Sequence, residues 1–126
     1  MTVVAPIKEL VDVAALAADE KSAENIVALD VTGRFALADA FVLVSAESER
    51  QVQAVAENIQ DRLREVGAKP ILMEGFAGGR WVLMDFDGVI VHVQHTEERE
   101  FYQLERLWKD SPALELPEFP TAAQLS

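Results

Sequence analysis

The chain predicts one α/β domain of the α+β kind, a mixed five-stranded sheet packed with helices. Three observations carry this. Apolar stripes at helical spacing alternate with short β-branched runs in the order helix, two strands, helix, three strands, helix. Asp87-Gly88 lies between two alternating apolar runs, the mark of a hairpin, and so of an antiparallel pair. The helix between the second and third strands allows a parallel crossover, and 126 residues, half of them hydrophobic, suit a single core.

The first helix is expected over 6–20. Pro6 suits a first turn, and Ile7, Leu10, Val11, Ala14 and Ala17 or Ala18 recur on one side. A polar break at 21–25 precedes a strand at 26–31, closed by Thr32-Gly33. The unbroken run at 41–45 reads as a central strand buried on both faces. Residues 48–66 give the clearest helix: Ser48 and Gln51 have capping-box spacing, Val52, Val55, Ala56, Ile59, Leu63 and Val66 form its stripe, and Gly67 ends it. A short strand at 71–73 follows Pro70, and Gly75, Gly78 and Gly79 mark a loop. The hairpin occupies 81–86 and 89–94. Thr96 is placed to cap a last helix running to about Lys109, with Phe101, Leu104 and Leu107 packed on the sheet and Tyr102 and Trp108 at its margin. Residues 1–109 form the domain, and 110–126, with Pro112, Pro117 and Pro120, read as an extended or mobile tail. There is no internal repeat.

The composition narrows the function. Cysteine is absent, which removes disulfides and thiolate chemistry and agrees with a reducing compartment. No apolar run approaches the ~20 residues of a membrane helix, and the first residues lack the features of a signal or transit peptide. A cytoplasmic protein is expected. A net charge of −11 opposes binding to a phosphate backbone; it points to a basic partner where the partner is charged, and serves solubility alone in the other reading.

A two-residue turn at Asp87 and Gly88 fixes the hairpin register. Phe86, Val89, Met84, Val91, Val82 and Val93 then share one wholly apolar face, which must be core. Trp81, Leu83, Asp85, Ile90, His92 and Gln94 share the other. A large aromatic among aliphatic and polar groups is the composition of a docking patch. The competing reading is that a helix of the same chain covers this face and satisfies Asp85 and His92 locally.

No catalytic constellation is evident. Asp85 and Asp87 have the i, i+2 spacing that holds a metal in phosphoryl transfer, but Asp87 is more simply a turn residue and no phosphate-binding motif accompanies it. His92 and His95 fall on opposite faces of an extended chain and are poor chelate partners. Ser45 and Ser48 lack a nucleophile setting, and the glycines at 75, 78 and 79 do not make a dinucleotide fingerprint. Glu98, Arg99, Glu105 and Arg106 read as an ion-paired, solvated face.

Taken in order, the segments I-V-A-L-D-V at 26–31, A-D-A-F-V at 38–42, S-E-R-Q-V at 48–52, E-G at 74–75, W-V-L-M-D-F-D-G-V-I-V-H-V at 81–93 and E-E-R-E-F-Y-Q-L-E-R-L-W at 97–108 resemble the ribosomal silencing factor family, also called the Iojap family. The resemblance covers about Ile7 to Lys109, and residues 110–126 match no motif of it. It implies a fold related to nucleotidyltransferases without their catalysis, and no cofactor. It also implies binding to the large ribosomal subunit, through large-subunit ribosomal protein number fourteen on the face that meets the small subunit. Such binding would block subunit joining and lower translation under nutrient limitation. Homodimers are similarly implied; direct nucleic-acid contact and a membrane are not. The family's contact strand falls on Trp81, Val82, Leu83 and Asp85. The face argument adds Ile90 and His92 and disagrees over Val82. The alternative is a metal-dependent nucleotidyltransferase-like enzyme using Asp85 and Asp87.

Overall fold

The structure, a computed structural model, describes residues 6–120. Helix α1 (Ile7–Glu20) is followed by strands β1 (Glu24–Asp30) and β2 (Ala38–Ala46), helix α2 (Glu49–Glu65), strands β3 (Leu72–Glu74), β4 (Trp81–Asp85) and β5 (Gly88–His95), and the short helices α3 (Thr96–Tyr102) and α4 (Leu104–Leu107). The strands form one mixed sheet in the order β1-β2-β5-β4-β3. Among the described residues only β2 and β5 pair in parallel. The α2 crossover does return the chain in the direction of β2, but β3 lands at the far edge, and β5 takes the place beside β2.

The sheet separates two apolar layers. On one face the stripes of α1 (Leu10, Val11, Ala14, Ala17) and α2 (Val52, Val55, Ala56, Ile59, Leu63) bury Val42, Val44, Val82, Met84, Val91 and Val93. On the other, Leu29, Val31, Phe41, Leu43 and Ile90 are covered by Phe35, Leu104 and Trp108. The central strand β2 is therefore buried on both sides apart from Asp39, which explains its unbroken apolar sequence. Ser48 caps α2 by accepting from the Gln51 N–H at 3.1 Å. Beyond its end, Gly67 takes a φ of +89°, a conformation glycine adopts without steric cost.

Three expectations change at the C-terminal side. The last helix is not continuous. Gln103 is left-handed (φ 46°, ψ 59°) and separates α3 from α4. The turn sends Leu104 and Trp108 onto the sheet and leaves Phe101 (79% exposed) and Leu107 (73%) outside the core that periodicity assigned them to. The cap of α3 is His95, not Thr96: His95 Nδ1 accepts from the Glu97 N–H at 3.1 Å, and Thr96 is already helical. Finally, the segment after α4 is extended and held to the sheet. Ala113 bridges Leu29 in antiparallel fashion, the Asp30 N–H donates to Pro112 O, the Leu114 N–H donates to Ala28 O, and Leu114 and Leu116 pack on the α1–α2 layer. The rest of the expected tail, 121–126, lies outside the described residues.

Candidate functional site: the open half of the hairpin face

The hairpin has the register that a two-residue turn dictates. Trp81 pairs with Gln94, Val82 with Val93, Leu83 with His92, Met84 with Val91 and Asp85 with Ile90, and the Phe86 N–H closes the turn on Val89 O. Asp87 and Gly88 both have positive φ (60° and 113°), as a right-twisted two-residue hairpin requires. The Asp85 carboxylate accepts from the Asp87 N–H at 2.9 Å and so serves the turn. Asp87 has left strand geometry. Among the described residues no group of three or more His, Asp or Glu is placed to hold a metal ion.

Strand β3 extends the face outward. Leu72 lies beside Asp85, Met73 beside Met84 and Glu74 beside Leu83. Directly paired residues share a side, so Leu72 and Glu74 join Trp81, Leu83 and Asp85, whereas Met73 turns to the α1–α2 layer. The face is divided in two. Over β5 the chain covers itself: Ile90 is 6% and His92 7% exposed, and Gln94 is fully buried. Over β4 and β3 it is open, with Trp81, Leu83 and Asp85 half-buried and Leu72 and Glu74 exposed.

Two corrections to the sequence-derived site follow. Val82 is fully buried in the opposite layer, because strand alternation turns it away from Trp81 and Leu83. Ile90 and His92 share the face of Trp81, but the chain packed over β5 closes them off, so neither side chain is presented at the surface. For the β5 half, coverage by the chain's own helices was the right alternative. Sequence reasoning missed Leu72 and Glu74, whose strand partner is not encoded locally. It also missed the extent to which Phe101 and Tyr102 are displayed.

Trp81 is the centre of the open half. Its Nε1–H donates to His92 Nδ1 at 3.2 Å, and its ring meets that of Tyr102 at 4.9 Å between centroids. Two depressions flank this pair. One, of about 340 Å³, is lined by Glu74, Gly75, Trp81 and Leu83. The other, of about 640 Å³, is lined by Glu97, Glu98, Glu100, Phe101, Tyr102 and Gln103. Both combine apolar surface with carboxylates. Gly75 is required here: its φ is +82°, and a Cβ would collide with the Trp81 carbonyl.

Arg80, next to Trp81, anchors α3. Its guanidinium donates to Glu98 at 2.8 and 2.5 Å, to Glu97 at 3.2 Å and to Glu49 at 3.2 Å, and its carbonyl accepts from the His95 N–H. The Arg80 guanidinium holds the Glu98 carboxyl below its ordinary range. Burial, aided by the positive charge of Arg99, pushes His92 down to about 4. His92 is therefore neutral near pH 7 and can accept the indole proton.

Comparison with known proteins agrees with this architecture. A sequence model described as ribosomal silencing factor during starvation matches residues 4–126, so its match runs past Lys109. A Bacillus subtilis protein named ribosomal silencing factor is 46% identical over 109 residues, covering 86% of this chain and 92% of that protein. A crystal structure of a Chromobacterium violaceum protein is 31% identical and superimposes with a TM-score of 0.81, covering 92% of this chain and 93% of that one. A mouse protein named mitochondrial assembly of ribosomal large subunit protein 1 is 26% identical over 92 residues, 71% of this chain and 40% of its own length. With a fold, a hairpin and a family match that all coincide, the chain belongs to the ribosomal silencing factor family.

Proposed function

We propose that this protein is a translational repressor that binds the large ribosomal subunit through the open half of the hairpin face. Large-subunit ribosomal protein number fourteen is the contact, and occupation of that site blocks joining with the small subunit when nutrients are scarce. The work is steric, in the cytoplasm, without catalysis or cofactor. The observation that carries this reading is the half-exposed Trp81, beside Leu83, Tyr102 and Glu74, with Leu72 and Asp85 farther along the same open face. An aromatic anchor within an acidic rim suits a basic protein surface. The same charge disfavours the surrounding RNA phosphates. The names of the bacterial and mouse relatives support a ribosomal setting. The enzyme alternative is weakened because Asp85 is engaged by the turn and Asp87 has left the strand.

The test is sedimentation of purified protein with isolated large and small subunits, wild type beside Trp81→Ala. The expected result is migration with the large subunit alone, with affinity reduced at least about tenfold in the variant, the effect of losing a central interface tryptophan. Wild type that stays at the top of the gradient overturns the proposal.

A further inference from the structure

His92 was expected to touch a partner. Its burial forbids that, but its contacts give it another task. The indole Nε1–H is a donor only, and His92 Nδ1 at 3.2 Å is the partner it has. His92 is itself fixed. Phe41 meets its ring edge-to-face at 5.3 Å and 83°, and Phe41 in turn packs on Trp108 at 5.1 Å and Phe35 at 5.1 Å. A half-exposed tryptophan would otherwise sample several rotamers and lose that freedom on docking. Here one end of its ring is tied to the second core layer, while Tyr102 rests against it at 4.9 Å.

We infer that His92 is a positioning residue for docking: its Nδ1 holds the Trp81 indole in the orientation a partner meets, so the interface is set before contact. This rests on the docking reading above. It requires the His92 proton on Nε2, since Nδ1 must accept. Among the described residues Nε2 is buried with no partner, so the tautomer is selected by the indole, not by a competing acceptor at Nε2. Asn at position 92 keeps a short acceptor near the site of Nδ1. Phe and Leu keep apolar bulk but remove the acceptor.

The experiment joins two readouts on the full chain. Nitrogen–proton NMR of the free protein follows the Trp81 indole N–H, identified by its loss in Trp81→Phe, and its exchange with solvent. Binding to isolated large subunits is measured for wild type, Trp81→Ala, His92→Asn, His92→Phe and His92→Leu. The expected result is slow indole exchange in wild type and His92→Asn, fast exchange in His92→Phe and His92→Leu, and affinity about fivefold weaker in the last two, the effect of one net hydrogen bond. His92→Leu serves if the Phe variant does not fold. Fast exchange in wild type overturns the inference. So does loosening of the indole without loss of affinity while Trp81→Ala still abolishes binding. If Trp81→Ala binds as wild type does, the docking reading itself has failed, which is a separate result.

Discussion

Trp81, at the start of β4, and Tyr102, at the end of α3, lie ring to ring at 4.9 Å and 49°, so the sheet and the helix that follows the hairpin share one aromatic surface. Tyr102 is 49% exposed, and the Phe101 ring meets it edge-to-face at 4.9 Å. Tyr102→Ala is therefore expected to weaken large-subunit binding by at least about fivefold. Stability should fall by only about 1 kcal/mol, the size of an aromatic pair. Titration of labelled protein with large subunits, beside a urea melt, checks both.

Val82 separates the two sides of β4. It is fully buried against the α1–α2 layer, so Val82→Ala should cost roughly 2 kcal/mol through lost burial and a cavity. Its affinity for large subunits should stay within about twofold of wild type, the range of a variant that leaves the interface intact. A much larger loss of binding by well-folded Val82→Ala would place Val82 in the interface.

Acid should act through His92. Its folded-state pKa of about 4 lies below the ordinary 6.5. Between these values the unfolded chain takes up a proton that the folded chain refuses. The stabilisation is thus complete above pH 6.5 and is lost as the pH falls toward 4. The loss amounts to at most roughly 3 kcal/mol. Urea melts over this range should show a shallower pH dependence for His92→Asn than for wild type. Parallel curves would mean that His92 titrates normally.

The Arg80 cluster has its own pH signature. Glu98 is held below its ordinary 4.5 by Arg80, so their pairing stabilises the fold above that pH and is lost as the pH falls through and below it. Arg80→Met should destabilise the protein near neutrality, and the gap to wild type should narrow in acid. Amide exchange should quicken first in α3, which Arg80 ties to α2 through Glu49. Uniform exchange along the chain would show that the cluster does not anchor α3.

The hairpin was legible because Asp87-Gly88 fixes the loop length, and loop length fixes every cross-strand pair. Helix α2 was legible because its stripe, its Ser48 cap and Gly67 agree. The break at Gln103 was not. Left-handed backbone costs a non-glycine residue about 1–2 kcal/mol, and here the packing of Leu104 and Trp108 on the sheet accompanies that cost. No glycine or proline announces the break. The cap at His95 was hidden for a similar reason, since histidine is not a favoured capping residue. As for the site, alternation along β4 put Trp81, Leu83 and Asp85 on one side and Val82 on the other. Which half of that side stays open depends on contacts among distant segments. No periodicity within β5 records that Leu104 and Trp108 come to lie over this side of the sheet.

The segment around Ala113 also decides how the sheet can meet another chain. It engages the backbone of Ala28, Leu29 and Asp30 along the outer side of β1, while a bulge and the left-handed Asn25 disturb the other end of that strand. A sheet with two bare edges can gain a neighbour on each and go on growing into a fibre. Among the described residues β3 keeps a bare edge and β1 is obstructed, so strand addition has one starting point and stops after one step. Self-association through strands would thereby give discrete complexes in place of filaments.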